Sequence, residues 1–252
     1  MSQSNPLPLT GRIAIVVGGS GGIGKATAEQ RASLGANVTI TYRNRHDEAG
    51  ALVARLPGGN HAAEYVDVED STCLDRLAET IHNRHGTAHI LVNAAGFTTA
   101  IKHSELDKLT DDLITRMFAV NWRGAFAASR AFAPMLLESG EGLIVNISSL
   151  SGSNGVGSNI AYCAVKAGID VMTKSLARAL APSVRVMAVS PGVVNTDFVP
   201  GRDPSFNAKV AATIPLKRIA QPTDVADAIV ACATTLKYST GSVLLVDGGR
   251  AL

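Results

Sequence analysis

Short apolar runs separated by longer stretches of helical periodicity recur along almost the whole of this chain, and that alternation admits few folds. The runs are residues 12–17, 37–42, 61–66, 89–92, 142–147, 184–189 and 242–246. Most are nearly unbroken, as expected of strands covered by helices on both faces. Strand, helix and strand repeated about six times give parallel βαβ units, because a parallel neighbour is reached only by a crossover long enough to hold a helix. The expected fold class is α/β, a doubly wound parallel sheet of about seven strands with helices on both faces. A chain of 252 residues, 46% of them hydrophobic, can bury one core of that size. No linker, low-complexity tract or solenoid period divides residues 1–252, so a single domain is expected.

Charge and cysteine usage exclude several function classes. Lysine and arginine total 23 against 21 acidic residues, a net charge of +2, which gives no strong field for nucleic acid. No apolar run is long enough to span a bilayer, and residues 1–6 do not join a basic stretch to an apolar one. A cytoplasmic protein with no membrane or nucleic-acid partner is expected. Cys73, Cys163 and Cys232 lie far apart without CxxC spacing and read as buried thiols in a reducing compartment. His82, His85 and His89 fall around the end of one helix and the start of the fourth strand, opposite the strand ends that should bear a site. With no carboxylate to complete a ligand set, no metal is expected there.

The segment Gly18-Gly19-Ser20-Gly21-Gly22-Ile23-Gly24 follows the first strand and opens a helical pattern. A turn free of bulky side chains lets backbone N–H groups approach a pyrophosphate, and the helix N-terminus adds partial positive charge. The fold therefore reads as Rossmann-like and dinucleotide-binding. At the end of the second strand Tyr42 takes the place where a carboxylate would grip the ribose hydroxyls of NAD. Arg43 follows, and a guanidinium there suits a 2′-phosphate. NADP(H) is the expected cofactor, with NAD(H) second.

Tyr162 and Lys166 lie four residues apart, on one face of the helical stretch 159–180. That spacing is common by chance and carries weight only in company. Asn146-Ile147-Ser148-Ser149 ends an apolar strand, and α/β sheets present ligands to residues at the carboxyl ends of their strands.

With these motifs in order, the sequence resembles the short-chain dehydrogenase/reductase family, and its 3-oxoacyl-reductase-like branch, over nearly its whole length. The resemblance places the family's TGxxxGxG turn on Val17 to Gly24, with Gly18, Ser20, Gly22, Ile23 and Gly24 at the cofactor. It places the adenine-contacting aspartate on Asp67, beside Val68, and the NNAG strand end on Asn93-Ala94-Ala95-Gly96. It assigns the helix asparagine to Asn121, the serine to Ser149 and the YxxxK pair to Tyr162 and Lys166. The proline-glycine turn falls on Pro191-Gly192, with Val194 and the carboxamide-contacting Thr196 after it, and Asp247-Gly248-Gly249 resembles the C-terminal signature. Two departures affect the turn: Val17 replaces a threonine whose hydroxyl would tie it to the Asn93 segment, and Ala94 replaces the second asparagine. A third is Gly21, where many NADP-preferring relatives carry a basic residue; it leaves a 2′-phosphate to Arg43, with Ser20 or Asn44 beside it.

The resemblance implies a mechanism. Tyr162 would donate a proton to a carbonyl oxygen in reduction, or accept one as phenolate in oxidation. An unperturbed tyrosine, with a pKa of about 10, is too weak an acid for the second role, and the Lys166 ammonium would correct this. Lys166 would also hold the nicotinamide ribose, Ser149 would orient the substrate oxygen, and Asn121 would support a water relay to Lys166. The substrate is expected to be a free small-molecule carbonyl or secondary alcohol. One alternative is a 3-oxoacyl-(acyl-carrier-protein) reductase, which predicts a basic docking patch that residues 97–105 lack. Another is a catalytically silent NADP(H)-sensing protein, which would not need the proton-transfer set. Phe97, Ser151, Cys163 and Gly192 are expected at the pocket, with 197–215, which includes Pro200, Gly201, Pro204 and Pro215, as an irregular lid. The small residues Gly124, Ala125, Ala127, Ala128, Ala161, Ala164, Ala167 and Gly168 would admit partner helices, and a homotetramer or homodimer is expected.

Overall fold

A computed structural model of the chain describes residues 7–201, 203 and 205–252; the expectations concerning residues 1–6 and Pro204 lie outside the described residues. The strands are β1 (Ile13–Val17), β2 (Asn37–Tyr42), β3 (Ala62–Tyr65), β4 (Ile90–Asn93), β5 (Gly142–Ile147), β6 (Val184–Pro191) and β7 (Val243–Val246). They form one sheet in the order β3-β2-β1-β4-β5-β6-β7, every neighbour parallel. The chain winds outward from β1 to β3 and then returns to β4 on the other side of β1. That reversal opens a crevice at the carboxyl ends of β1 and β4.

The helices are α1 (Gly22–Ser33), α2 (His46–Arg55), α3 (Ser71–His85), α4 (Asp111–Phe118), α5 (Gly124–Glu138), α6 (Ser151–Asn154), α7 (Ile160–Leu180), α8 (Phe206–Thr213) and α9 (Pro222–Thr234). Alternate residues of β1 serve two cores, since successive side chains of a strand point to opposite faces. Ala14 and Val16 pack with Ala28, Leu52 and Val225 from α1, α2 and α9. Ile13, Ile15 and Val17 pack with Leu74, Leu77, Phe132 and Ala177 from α3, α5 and α7. The edge strands β3 and β7 are only partly covered, unlike the fully buried β1, β4 and β5. The three cysteines are buried and free.

Three local features differ from the sequence expectation. The helical periodicity of residues 111–139 predicts one long helix, which the structure interrupts with a π turn, Ala119–Arg123, between α4 and α5. Trp122 in that turn stacks on Phe126, with ring centroids 5.8 Å apart, and a Cβ on Gly168 of α7 would sit 3.1 Å from its ring. Second, 197–215 is not wholly irregular, because α8 lies within it. Third, Ala125, Ala127, Ala128 and Ala161 are buried within this chain, and a Cβ on Gly124 would come to 3.0 Å from Val68. Small residues at these five positions serve intramolecular packing.

Candidate active site

The phosphate turn is shaped by close backbone approach. A Cβ on Gly18, which has φ +80°, would lie 2.6 Å from the backbone of Ala95, and one on Gly24 would lie 2.2 Å from the carbonyl oxygen of Gly18. Both positions exclude a side chain, so the turn folds tightly onto β4 and α1. Without a hydroxyl at Val17, the turn is tied to β2 by a side chain and to the end of β4 by the main chain. Thr41 Oγ1 accepts the Gly18 N–H at 3.0 Å, and the Ala94 N–H donates to the Val17 carbonyl at 2.9 Å.

Beneath the other end of the crevice lies a buried polar network. Asn93 Nδ2 donates to Asn146 Oδ1 at 2.9 Å and to Ser129 Oγ at 3.2 Å, and Asn146 Nδ2 donates to Thr173 Oγ1 at 2.9 Å. These bonds join β4, β5, α5 and α7, fixing the height of α7 above the sheet. Its first turn is set by Asn159, a residue type favoured at helix N-caps. Asn159 Oδ1 accepts the Tyr162 N–H at 2.8 Å, while Nδ2 donates to the Thr99 carbonyl at 2.8 Å.

Tyr162 and Lys166 thus meet the end of β5. Lys166 Nζ donates to the Ile147 carbonyl at 2.7 Å and lies 5.5 Å from the centroid of the Tyr162 ring. Its side chain is buried, and desolvation pulls its ammonium down from 10.5 to about 8, against the opposing pull of Asp170. Asp170, one turn along α7, is pushed up by burial and held back by the Ser148 hydroxyl and by Lys166 and Lys174. Ser149 Oγ accepts the Ser151 N–H at 3.2 Å and stands 3.2 Å from Ser151 Oγ. The Phe198 ring leans over Tyr162 with centroids 6.0 Å apart.

A continuous cleft of about 2010 Å³ joins the turn to this wall. Of the residues expected at the cofactor or in catalysis, Gly18, Ser20, Gly22, Ile23, Gly24, Tyr42, Arg43, Asn44, Val68, Ala94, Ala95, Gly96, Ser149, Tyr162, Lys166, Pro191, Gly192, Val194 and Thr196 line it. Asp67, Asn93 and Asn121 stand behind its walls. Asp67 Oδ2 pairs with Arg43 at 3.2 Å, and its Oδ1 accepts the Glu69 N–H at 2.9 Å. The Asn121 amide binds both sides of the Phe97 backbone, at 3.2 and 3.1 Å, and the Met117 carbonyl at 3.0 Å. Its side chain thereby secures the loop after β4. Cys163, expected at the pocket, is also displaced, lying behind Gly157 and Ser151.

Arg45 and Asp170 were not expected near the site, and Phe198 was expected only as part of the 197–215 lid. Asp170 follows Lys166 at helical spacing and was legible in principle; the other two depend on where loops fold.

The cleft fits a nicotinamide dinucleotide, since its turn excludes side chains at Gly18 and Gly24 and its far wall carries a buried cation. The family model described as enoyl-(acyl carrier protein) reductase matches residues 17–251. Carbonyl reductase family member 4 of Danio rerio is 36% identical over 244 residues, covering 96% of this chain and 98% of that protein. A 3-oxoacyl-(acyl-carrier-protein) reductase of Synechocystis sp. is 34% identical over 258 residues, covering 97% and 98% respectively. The crystal structure of a protein from Brucella melitensis, described as a short-chain dehydrogenase/reductase of glucose/ribitol dehydrogenase type, superposes with a TM-score of 0.90 at 27% identity. That match covers 98% of this chain and 100% of that one.

Proposed function

The chain belongs to the short-chain dehydrogenase/reductase family of oxidoreductases, and on that premise we propose that it is an NADP(H)-dependent enzyme interconverting a small-molecule carbonyl and its secondary alcohol. The carrying observation is the buried Lys166 ammonium, held on the Ile147 carbonyl beside Tyr162, on the wall that also presents Ser149. The turn at Gly18 to Gly24 would hold the pyrophosphate, and Lys166 the nicotinamide ribose; the bound cofactor supplies or receives the hydride. Tyr162 gives a proton to the substrate oxygen in reduction and takes it back in oxidation. Lys166 favours the phenolate electrostatically, which brings the tyrosine toward the working pH range. Ser149 donates a hydrogen bond to the same oxygen and fixes its direction. Asn121 holds the Phe97 segment through its amide and would support a water relay to Lys166 from the π turn. A silent cofactor sensor would leave this buried proton-transfer set without a use.

Tyr42 in place of a strand-end carboxylate, followed by arginines, supports NADP(H) over NAD(H). Phe198 against Tyr162 supports the first part of 197–215 as a substrate lid. The buried free thiols suit the cytoplasm, and a homotetramer is the proposed assembly, to be read by sedimentation. A second reading, reduction of 3-oxoacyl groups on acyl carrier protein, is favoured by the name of the Synechocystis relative. The deciding experiment follows NADPH oxidation over ketones, keto esters and 3-oxoacyl thioesters, and NADP reduction with alcohols. Turnover of free ketones is expected. Turnover confined to carrier-bound thioesters would replace the first reading with the second, and none with any substrate would overturn both.

A further inference from the structure

We infer that Arg45, rather than Arg43, reads the 2′ position of the adenosine ribose and so sets cofactor preference. The inference rests on the proposed use of NADP(H) and adds the residue that would recognise its extra phosphate. Position in the sequence favours Arg43, directly after β2. Its guanidinium, however, is engaged by Asp67 at 3.2 Å and Glu69 at 3.1 Å, and Arg116 lies 3.6 Å from the same Glu69 carboxylate. Two arginines and two carboxylates neutralise one another in this cluster. A phosphate approaching Arg43 would also meet the two anions that hold it, and like charges at short range repel.

Arg45 is placed differently. It precedes the first turn of α2 and is exposed, and its guanidinium has no acidic partner among the described residues. Asp47 lies 3.0 Å from His46 and Glu29 pairs with Arg55 at 2.6 Å, and neither they nor Glu48 forms an ion pair with Arg45. The guanidinium lies across the phosphate turn, where a Cβ built on Gly21 would come within 2.6 Å of Arg45 Nη1. Gly21 has φ −162° and ψ 171°, an extended conformation open to any residue, so the backbone does not demand glycine there. The space does. The missing side chain at Gly21 makes room for a cation delivered from β2–α2, on the wall of the same cleft as Ser20, Arg43 and Asn44. An unpaired, planar guanidinium beside a phosphate-binding turn can take a second phosphate through paired charge-assisted hydrogen bonds.

The test is calorimetric titration of the purified full chain with adenosine 2′,5′-bisphosphate and with 5′-AMP, which needs no turnover. Wild type should bind the bisphosphate at least about tenfold more tightly. Arg45→Ala should remove that preference while leaving 5′-AMP affinity unchanged, and Arg43→Ala should change it less than about threefold. Gly21→Val, which keeps Arg45 but displaces its guanidinium, should also lose the preference. If Arg45→Ala keeps the preference and Arg43→Ala loses it, the assignment to Arg45 is overturned and NADP(H) use stands. A wild type that binds 5′-AMP as tightly as the bisphosphate overturns NADP(H) use and the inference with it.

Discussion

Where β5 meets α7, the cleft wall and the layer beneath it are made of side chains withdrawn from water, Ser148 and Lys166 at the wall and Asn146 below, each with a named partner; where β2 ends, the wall is made of exposed charges, Arg43 paired across to Glu69 and Arg45 lying over the turn. The first region has one workable arrangement, because a buried polar group that loses its partner has no water to replace it. In the second, solvent can substitute for any partner, so arrangements differ little in energy. Chemistry is therefore assigned to the end that cannot rearrange, and cofactor choice to the end that can.

Four measurements sharpen or break that contrast. The largest effect is expected from Tyr162→Phe, which should lower turnover by about a thousandfold, in the range of lost general acid–base catalysis, while leaving NADPH binding intact. Near-normal turnover would dissociate the buried wall from the chemistry.

Next comes pH-dependent stability. Burial depresses the folded-state pKa of Lys166 to about 8 from 10.5. Between those values the unfolded chain keeps a proton that the folded chain has released, so this group favours folding progressively as pH rises through the window and opposes it most below it. The unfolding free energy of Lys166→Met minus that of wild type should therefore fall by roughly 3 kcal/mol from about pH 7 to about pH 10.5. Denaturant titrations at several pH values measure it. A flat difference would mean that Lys166 is hydrated.

Asn146→Ala should then destabilise the fold by about 2 kcal/mol, because it leaves Asn93 Nδ2 and Thr173 Oγ1 without their shared partner. At the other end Glu69→Gln should cost under about 1 kcal/mol, as exposed ion pairs do. If the two costs in urea unfolding proved equal, the distinction between the ends would be lost.

The same contrast explains what the sequence revealed. β1, β4 and β5 were legible because strands covered on both faces need unbroken apolar runs, whereas Tyr162, Lys166 and Ser149 were singled out by the family resemblance, with helical spacing and a strand end as local support. The π turn at Ala119–Arg123 was not, since one wider turn barely disturbs hydrophobic periodicity. Nor was the state of Arg43, whose partners Asp67 and Glu69 arrive from another loop, or the reach of Arg45 over Gly21. Exposed charges choose partners by tertiary position, and nothing in their spacing records the choice.

Trp122 is the sole tryptophan of the chain. It follows Asn121 in the π turn, stacks on Phe126 and packs on Gly168, two residues beyond Lys166. Intrinsic emission excited at the red edge of indole absorption therefore comes from a single place, the seam between α5 and α7 behind the catalytic wall. The protein carries its own optical probe of whether that seam is intact, needing no label.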